Sequence, residues 1–223
     1  EWDWFRNLGG GCIVGLQETK ASKEQVELIH QEPEGYNAYW LLGQRKGYSG
    51  VAVFSTYAPL AVTYALPQAT YQGEGRLIHP EYPDFHYMNV YFPNGQQGDE
   101  RLAYKLGYYD AWLEYAQELR KQKPIVVCGD FNTAHKPIDI ARPKENEKIS
   151  GFLPIERAWL SWKRMAMPPR VATISWSSPL VSRTPHSASS SPRLMAMSPP
   201  RRTLRYSERW VRLMIPRRVT ITR

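Results

Sequence analysis

The feature that most constrains the fold is a short apolar run that ends in a polar tetrapeptide. Residues 125–128, Ile-Val-Val-Cys, predict a buried strand, and Gly-Asp-Phe-Asn follows directly at residues 129–132. In α/β folds, the groups that carry chemistry gather just beyond the carboxyl ends of such strands. A second segment has the same form, since the apolar residues 12–16 lead into Gln-Glu-Thr-Lys. We expect these two strand ends to bring Glu18 and Asp130 together around a hard cation.

Residues 1–162 alternate between predicted strands and helices, which favours an α/β fold. The predicted strands are residues 12–16, 39–42, 51–55, 60–64, 76–79, 85–91 and 125–128. Residues 101–122 carry apolar side chains at helical spacing and form the strongest helix candidate. Ser22 and Gln25 have the spacing of a capping box that opens a short helix, and another helix begins at Pro154.

The composition changes at about Lys163. Residues 163–223 hold thirteen Lys or Arg and one acid, a net charge of +12, whereas residues 1–162 have a net charge of −4. The same stretch contains no Gly, Asp, Asn or Gln, so the residues that ordinary turns need are missing. We therefore expect residues 1–162 to form the folded domain. Residues 163–223 are expected to be a poorly ordered basic tail or the product of an altered reading frame.

The sequence excludes several classes of protein. No apolar stretch reaches the roughly 20 residues that span a bilayer, so we expect no membrane segment. Cys12 and Cys128 lie in apolar strand candidates, which indicates free thiols in a reducing compartment and a cytoplasmic location. Cys/His zinc spacing, a Gly-rich nucleotide loop and a Gly-x-Ser-x-Gly elbow are not found in the sequence.

The candidate site combines oxygen ligands with polar groups suited to a phosphodiester. Mg²⁺ is usually held by one or two carboxylates together with substrate phosphate, and Glu18 and Asp130 offer such carboxylates. Asn132 can bond a phosphate oxygen, and Tyr91 can present a phenol to the same cleft. Structural roles stay open for each residue: Asp130 could begin a turn, Glu18 could pair with Lys20 or Arg45, and Tyr91 could be a core aromatic.

A series of ordered motifs resembles one known family. The motifs lie at residues 17–20, 47–53, 74–76, 91–95, 129–132, 134–140, 143–146 and 151–157. In this order they resemble exodeoxyribonuclease III, the apurinic/apyrimidinic endonuclease group of the endonuclease/exonuclease/phosphatase superfamily. The resemblance covers residues from about 5 to 162.

The resemblance implies a two-sheet α/β sandwich flanked by helices, here incomplete at both ends. It implies an enzyme that uses Mg²⁺ or Mn²⁺ to cleave duplex DNA 5′ to abasic sites. We expect the chain to act as a monomer. Exonuclease action on 3′ ends and 3′-phosphatase activity are implied as well.

The resemblance also implies roles for individual residues. Glu18, Asp130 and Asn132 are expected at the metal site, and Tyr91, Asp130 and Asn132 are expected to be catalytic. In these roles Tyr91 contacts the scissile phosphate, Asp130 orients or deprotonates the attacking water, and Asn132 holds the phosphate. The residues expected to face DNA are Tyr48, Arg76, Asn94, Lys144 and Asn146.

Three family motifs have no counterpart in this sequence. They are the Trp-Asn-x-Asn-Gly motif of the first strand, the late Ser-Asp-His motif with its catalytic His–Asp pair, and the aromatic motif of the abasic pocket. Residues 163–223 contain no Asp, and their one histidine, His186, does not match. Because such groups act as a unit, their loss lowers the rate by several powers of ten. We expect this chain to be a fragment that is inactive or nearly so.

Two other functions stay open at this point. The same superfamily fold could act on a phosphoinositide or another phosphodiester. Alternatively, the Arg-rich tail could make a non-catalytic nucleic-acid-binding protein on an inactive nuclease scaffold.

Overall fold

Two β-sheets with helices outside them form the fold, in the computed structural model that describes residues 11–166 and 171–175. The strands are β1 Ile13–Gln17, β2 Asn37–Leu41, β3 Val51–Ser55, β4 Ala61–Tyr64, β5 Leu77–Glu81, β6 His86–Tyr91, β7 Ile125–Asp130 and β8 Val171–Ser175. The α-helices are α1 Leu28–Gln31, α2 Asp99–Arg120, α3 Pro143–Asn146 and α4 Pro154–Ala166. Three 3-10 turns cover Lys23–Gln25, Ala69–Tyr71 and Pro137–Asp139.

The two sheets differ in topology. One has three antiparallel strands in the order β1-β3-β2, and the other has five in the order β4-β5-β6-β7-β8. Strands β6, β7 and β8 run parallel, so their carboxyl ends meet at one edge of the larger sheet. Helix α2 connects β6 to β7, as the crossover between parallel strands requires. The predicted two-sheet α/β architecture with flanking helices is confirmed.

Strand alternation divides the core into layers. Val51 and Val53 of β3 point into the space between the sheets, where they pack with Ile78 and Tyr87. The intervening residues of β3 point to the opposite face. Because the side chains of β3 alternate between the two faces of its sheet, a one-residue slip in register would move every apolar side chain of the strand to the wrong face.

A polar side chain lies inside the layer between the sheets. Asn89 of β6 is fully buried, and its amide donates to the carbonyl oxygens of Leu16 and Ala52, both at 2.9 Å. Its own oxygen accepts a hydrogen bond from Gln17 Nε2 at 2.5 Å. These bonds join the larger sheet to β1 and β3, one residue before β1 ends.

Helix α2 covers the outer face of the larger sheet through its aromatic side chains. Tyr108, Tyr109 and Trp112 are fully buried there. Phe92 and Phe131, which follow β6 and β7, stack beneath them with their ring centroids 4.4 Å apart. Burial of each such ring contributes on the order of 2 kcal/mol, so the helix anchors the two loops that follow these strands.

The structure refines the predicted elements. The long helix runs from Asp99 to Arg120 rather than over residues 101–122. Ser22 and Gln25 do form a capping box, but it opens the 3-10 turn Lys23–Gln25, and the short helix α1 follows three residues later. None of the described helices is long and apolar enough to cross a membrane.

Two described elements reach beyond the boundary that composition places at Lys163. Helix α4 continues to Ala166, and β8 pairs with β7 within the segment expected to be a tail. Residues 167–170 and 176–223 lie outside the described residues. The division into a domain and a tail therefore stays a prediction.

A pair of histidines is buried under the amino-terminal end of β6. His79 Nε2 lies 3.0 Å from His86 Nδ1, and His79 Nδ1 lies 2.8 Å from the Tyr115 hydroxyl of α2. Burial, with His86 beside it, lowers the pKa of His79 to about 4, against the weaker opposing effect of Glu81. Burial also lowers the pKa of His86, with Glu81 opposing and Lys123 assisting. The fold therefore keeps both imidazoles neutral at pH 7.

We expect this histidine pair to make the protein acid-labile. A histidine whose pKa is lower in the folded than in the unfolded chain stabilises the fold above the unfolded pKa, and this stabilisation is lost as pH falls. Between pH 7.5 and pH 5 the free energy of unfolding should fall by about 2 kcal/mol from His79. Urea titrations of the wild type and of His79→Gln would show a smaller pH dependence in the variant. His30→Gln serves as the control, because His30 lies beside Glu27 at the surface. If the unfolding free energy of His79→Gln depended on pH as strongly as that of the wild type, His79 would not be the source of the acid lability.

Candidate active site at the strand ends

The parallel pairing of β6 and β7 places Tyr91 beside Asp130, the last residues of their strands. Glu18 follows the end of β1 in the other sheet, in a left-handed conformation with φ 58°. Asn89 of β6 bonds Leu16 and Gln17 at the end of β1, which places Glu18 near the ends of β6 and β7. The charge of Glu18 raises the pKa of both Tyr91 and Asp130. The structure thus brings together the three residues that the sequence predicts at the strand ends.

Asp130 is a half-buried carboxyl group in a field of mixed sign. Burial raises its pKa to about 6. The negative charge of Glu18 raises the pKa further, whereas a hydrogen bond from the Asn132 backbone and the charges of Lys105 and Arg76 lower it. At neutral pH the carboxylate is therefore ionised at a cost, which a bound cation would relieve.

Tyr91 is placed as a hydrogen-bond donor. Burial raises its pKa to about 12, and Glu18 adds to the increase. Arg76 and the side chain of Asn132 act in the opposite direction. The phenol therefore stays protonated at physiological pH and can donate to an anionic oxygen. Tyr91 also packs against the core between the sheets, so its structural and chemical roles coexist.

The loop after β7 is shaped by Asn132, which has φ 50°. Left-handed backbone suits Asn better than most residues. Asn132 donates its backbone N–H to Asp130 Oδ1 at 2.8 Å, and its side-chain amide donates to the Phe92 carbonyl at 2.7 Å. Asp130 therefore also forms the turn that the sequence left open as its alternative.

A buried ion pair supports this loop from below. Lys105 of α2 and Glu156 of α4 are both fully buried, with Lys105 Nζ 2.6 Å from Glu156 Oε1. The same ammonium donates to the Asn132 carbonyl and to Thr133 Oγ1, both at 2.8 Å. Burial lowers the pKa of Lys105, and Glu156 opposes that shift. All three ammonium protons have acceptors, so the charge fixes the backbone of the loop.

The carboxylate of Glu156 also has hydrogen-bond partners for both of its oxygens. It accepts hydrogen bonds from Ser150 Oγ at 2.7 Å, from the Gly151 N–H at 2.7 Å and from the Leu153 N–H at 3.0 Å. The ion pair therefore connects three segments: α2, the loop after β7 and the start of α4.

Gly129 is required where the two parallel strands approach. A Cβ atom at this position would lie 2.0 Å from the Val90 carbonyl oxygen. Since that neighbour is backbone, it cannot move without separating β6 from β7. The glycine of the Gly-Asp-Phe-Asn motif thus permits the pairing that sets Asp130 beside Tyr91.

The residues present fit a divalent cation of the magnesium type. Two carboxylates, Glu18 and Asp130, face one cleft and repel each other there. Such a donor set suits a hard ion that keeps several waters and shares substrate phosphate. The described residues contain no group of three or more His, Cys, Asp or Glu suited to a metal. The alternative for Glu18 is realised too, since Lys20 Nζ lies 2.9 Å from Glu18 Oε1.

The structure corrects one predicted DNA contact. Arg76 was expected to neutralise phosphates, but it is only 2% exposed. It donates to Glu74, to the Tyr91 carbonyl at 3.0 Å and to the Tyr48 hydroxyl at 3.1 Å. Its guanidinium also lies 4.9 Å from the Tyr91 ring centroid. Arg76 is therefore placed to hold Tyr91 and Tyr48 rather than to reach a ligand.

The other residues expected to face DNA lie on loops. Tyr48 is half-buried, whereas Asn94 and Lys144 are exposed. Asn94 Oδ1 accepts a hydrogen bond from the Gln96 N–H at 2.8 Å. The amide of Asn146 donates to the carbonyl oxygens of Ala141 and Arg142, both at 3.0 Å. Asn146 thus shapes its own loop, and its role toward DNA stays a prediction.

Four residues that hold the site or its neighbours in place were not found from the sequence. They are Lys105 and Glu156, together with Glu74, which binds Arg76, and Arg101, which binds Tyr48. Lys105 carried a signal, because it lies three and four residues before Tyr108 and Tyr109 on the apolar face of α2. A charge on such a face predicts a buried partner. Glu156 lies within a motif of the resemblance, but its partner could not be read from the chain.

The two-sheet fold and the acidic strand ends place the chain in one class of α/β protein, and comparison with known proteins identifies the family. The Endonuclease/Exonuclease/phosphatase family matches residues 4–194, and the chain belongs to this family.

Curated relatives indicate which group within the family the chain resembles. The chain is 43% identical to an exodeoxyribonuclease of Bacillus subtilis over 145 residues, which are 65% of this chain and 56% of the relative. It is 40% identical to the DNA repair nuclease APEX1 of Danio rerio over 157 residues, 70% of this chain and 50% of the relative. The chain thus spans about half the length of these two relatives. The resemblance to the exodeoxyribonuclease III group is confirmed.

Solved structures agree with the fold. An AP endonuclease from Archaeoglobus fulgidus matches with a TM-score of 0.59 and 28% identity, covering 68% of this chain and 58% of that chain. A 3′-5′ exonuclease (NExo) from Neisseria meningitidis matches with a TM-score of 0.62 and 25% identity, covering 69% and 60%.

Loss of Glu156 should destabilise the protein strongly. Glu156→Ala leaves the Lys105 ammonium buried without its counter-ion, which costs about 3–5 kcal/mol of unfolding free energy. Glu118→Ala is the matched control, because Glu118 pairs with Lys121 on the exposed face of α2. The control should cost about 0.5 kcal/mol or less. Urea denaturation measures both, and equal effects would show that the buried pair has no special role.

Removal of the Asp130 charge should stabilise the protein when no metal is present. A carboxyl group whose pKa is higher in the folded chain contributes stability below its unfolded pKa and loses it as pH rises through the folded value. Asp130→Asn keeps an acceptor for the Asn132 N–H, and it should raise the unfolding free energy by about 3 kcal/mol at pH 8.

Urea titrations in EDTA at pH 8 and at pH 4 test this expectation. The difference between Asp130→Asn and the wild type should shrink to about 0.5 kcal/mol at pH 4, where Asp130 is protonated in the folded state and about half ionised in the unfolded state. A variant less stable than the wild type at pH 8 would contradict the expectation.

Proposed function

We propose that this chain carries the site of a metal-dependent DNA-repair nuclease of the exodeoxyribonuclease III type. The proposed substrates are duplex DNA with abasic sites and DNA with 3′ ends. The observation that carries the proposal is the convergence of Glu18, Tyr91, Asp130 and Asn132 at one edge of the two sheets. Action as a monomer in the cytoplasm, which the sequence favours, stays a prediction.

The side chains are suited to phosphodiester hydrolysis. Glu18 and Asp130 would hold the cation, which we propose to be Mg²⁺ or Mn²⁺. A bound cation supplies Lewis-acid polarisation of a phosphoryl oxygen. Asp130 is anchored by the Asn132 N–H, and its raised pKa brings it closer to the range in which a carboxylate accepts a proton from water. Tyr91, kept protonated by burial, would donate to the phosphate.

The relatives favour DNA over other phosphodiesters as the substrate. Those found by sequence comparison are named as an exodeoxyribonuclease, a DNA repair nuclease and an endonuclease for apurinic or apyrimidinic sites. These names support a DNA substrate over a phosphoinositide for the site described above.

The test is a cleavage assay under conditions that detect slow turnover. We expect the chain, at high concentration and long incubation with Mg²⁺, to nick an abasic duplex on the 5′ side of the lesion. The double variant Glu18→Gln/Asp130→Asn should lose at least about tenfold of this activity, because no carboxylate would then hold the cation.

A variant at a distant charge controls for general effects. Lys121→Met changes an exposed side chain just after the end of α2 and should leave the rate unchanged. Equal cleavage by the wild type and the double variant would refute the proposal. Fast, robust cleavage that depends on Glu18 and Asp130 would support the function and refute the expectation that the chain is nearly inactive.

A further inference from the structure

Two arginines converge on one tyrosine hydroxyl beside the candidate active site. Arg76 Nη2 donates to the Tyr48 hydroxyl at 3.1 Å, and Arg101 Nη2 donates to the same oxygen at 2.9 Å. Glu74 binds both arginines, through Oε2 to Arg76 Nε at 2.5 Å and through both oxygens to Arg101 at 2.6 and 2.8 Å. The carboxylate therefore fixes both guanidinium groups around the phenol.

The hydrogen-bond capacity of the phenol determines where its proton can go. A tyrosine oxygen has two lone pairs and one proton. Both lone pairs of Tyr48 are occupied by cationic donors, so the proton is the one polar group left to bond. Within residues 11–166, none of the hydrogen bonds found has the Tyr48 hydroxyl as its donor. Two positive donors also polarise the O–H bond and strengthen the bond that it makes.

We propose that Glu74 and Arg101 are positioning residues that hold the Tyr48 hydroxyl as a donor to a phosphodiester oxygen of bound DNA. The inference rests on the proposed function and assigns roles to two residues outside the catalytic cluster. Arg76 completes the arrangement through its bond to Tyr48. Because Arg76 also binds the Tyr91 carbonyl, the network connects the phenol of the Tyr48 loop to the active-site edge.

The surroundings of Tyr48 suit an anionic backbone. Arg45 lies with its guanidinium carbon 5.5 Å from the Tyr48 ring centroid. Tyr48, Arg45, Lys46 and Lys20 line an open cleft of about 360 Å³. Phosphate oxygens that enter this cleft would meet three cationic side chains as well as the Tyr48 proton.

Arg101 itself is not placed to contact phosphate. Its Nε donates to the Asn94 carbonyl at 3.0 Å, and its two Nη atoms bind Glu74 and Tyr48. All three nitrogens are engaged, and the side chain is only 16% exposed. A direct phosphate contact adds about 0.9 to the slope of log affinity against log salt concentration, whereas a positioning residue does not. This difference separates the two roles.

The experiment is a double-mutant cycle on DNA affinity. Fluorescence anisotropy of a labelled abasic duplex is measured in EDTA, so that no cleavage occurs, with the full chain and with Tyr48→Phe, Arg101→Met and the double variant. Loss of a hydrogen bond to a charged oxygen should weaken binding about tenfold in Tyr48→Phe. Arg101→Met should have a similar effect, and the double variant should add little to either one. The salt slope of Arg101→Met should equal that of the wild type.

Two further variants keep the test decisive. Glu74→Gln preserves the shape of the side chain and should reproduce the loss, so a poorly folded Arg101→Met would not end the test. Lys123→Met is the matched control, because Lys123 forms a partly buried ion pair with Glu81 at the other end of the sheet. It should leave DNA affinity unchanged despite a similar loss of stability.

A second readout follows Tyr48 directly and is insensitive to DNA bound by the basic C-terminal segment. In protein labelled with 3-fluorotyrosine, the ¹⁹F resonance that disappears in Tyr48→Phe belongs to Tyr48. It should shift when the abasic duplex is added to the wild type, and in Arg101→Met it should be displaced already in the free protein.

Additive losses in the cycle, or a salt slope reduced by about 1 in Arg101→Met, would overturn the positioning role. A wild-type chain that binds the duplex without any change at the Tyr48 resonance would overturn it as well. A wild-type chain with no affinity for the duplex would instead refute the proposed function on which the inference rests.

Discussion

The buried ion pair between Lys105 and Glu156 is the interaction on which the candidate site depends. Two opposite charges without solvent access are stable only when all their hydrogen-bonding capacity is used. Here the ammonium binds the loop after β7, and the carboxylate binds the backbone that leads into α4. The loop that carries Asn132 is therefore held by charge as well as by packing. Its geometry cannot relax without leaving a charge uncompensated in the core.

Backbone contacts also fix the strand ends next to the ion pair. Gly129 permits the close approach of β6 and β7, and that approach fixes Tyr91 against Asp130. Arg76 then binds the Tyr91 carbonyl from the side. The pairing of the backbones therefore sets the positions of the polar side chains in the cluster. Such a site resembles a preorganised one, in which little movement is needed when a substrate arrives.

The sequence predicts the strands and the strand-end residues well, because both follow from local patterns. Apolar runs that end in Glu18 and Asp130 identify two strands and their chemistry, and the motifs around them identify the family. The pairing of Lys105 with Glu156, 51 residues apart, has no local pattern that could reveal it. The phosphate contact predicted for Arg76 was wrong for the same reason, because Arg76 is held in the interior by Tyr48 and Tyr91, which are distant from it in the sequence. Charge alone suggested a phosphate contact, whereas the tertiary structure turns that charge inward.

Asn89 links the candidate site to the packing between the two sheets. Its amide ties β6 to the last residues of β1, immediately before Glu18, so the gap between the sheets sets the separation of the two carboxylates. That gap is filled by Val53, Ile78 and Tyr87, which have no chemical role. The size of these apolar side chains therefore sets the spacing between Glu18 and Asp130. A substitution in this core layer can change that spacing while every polar residue of the site stays the same.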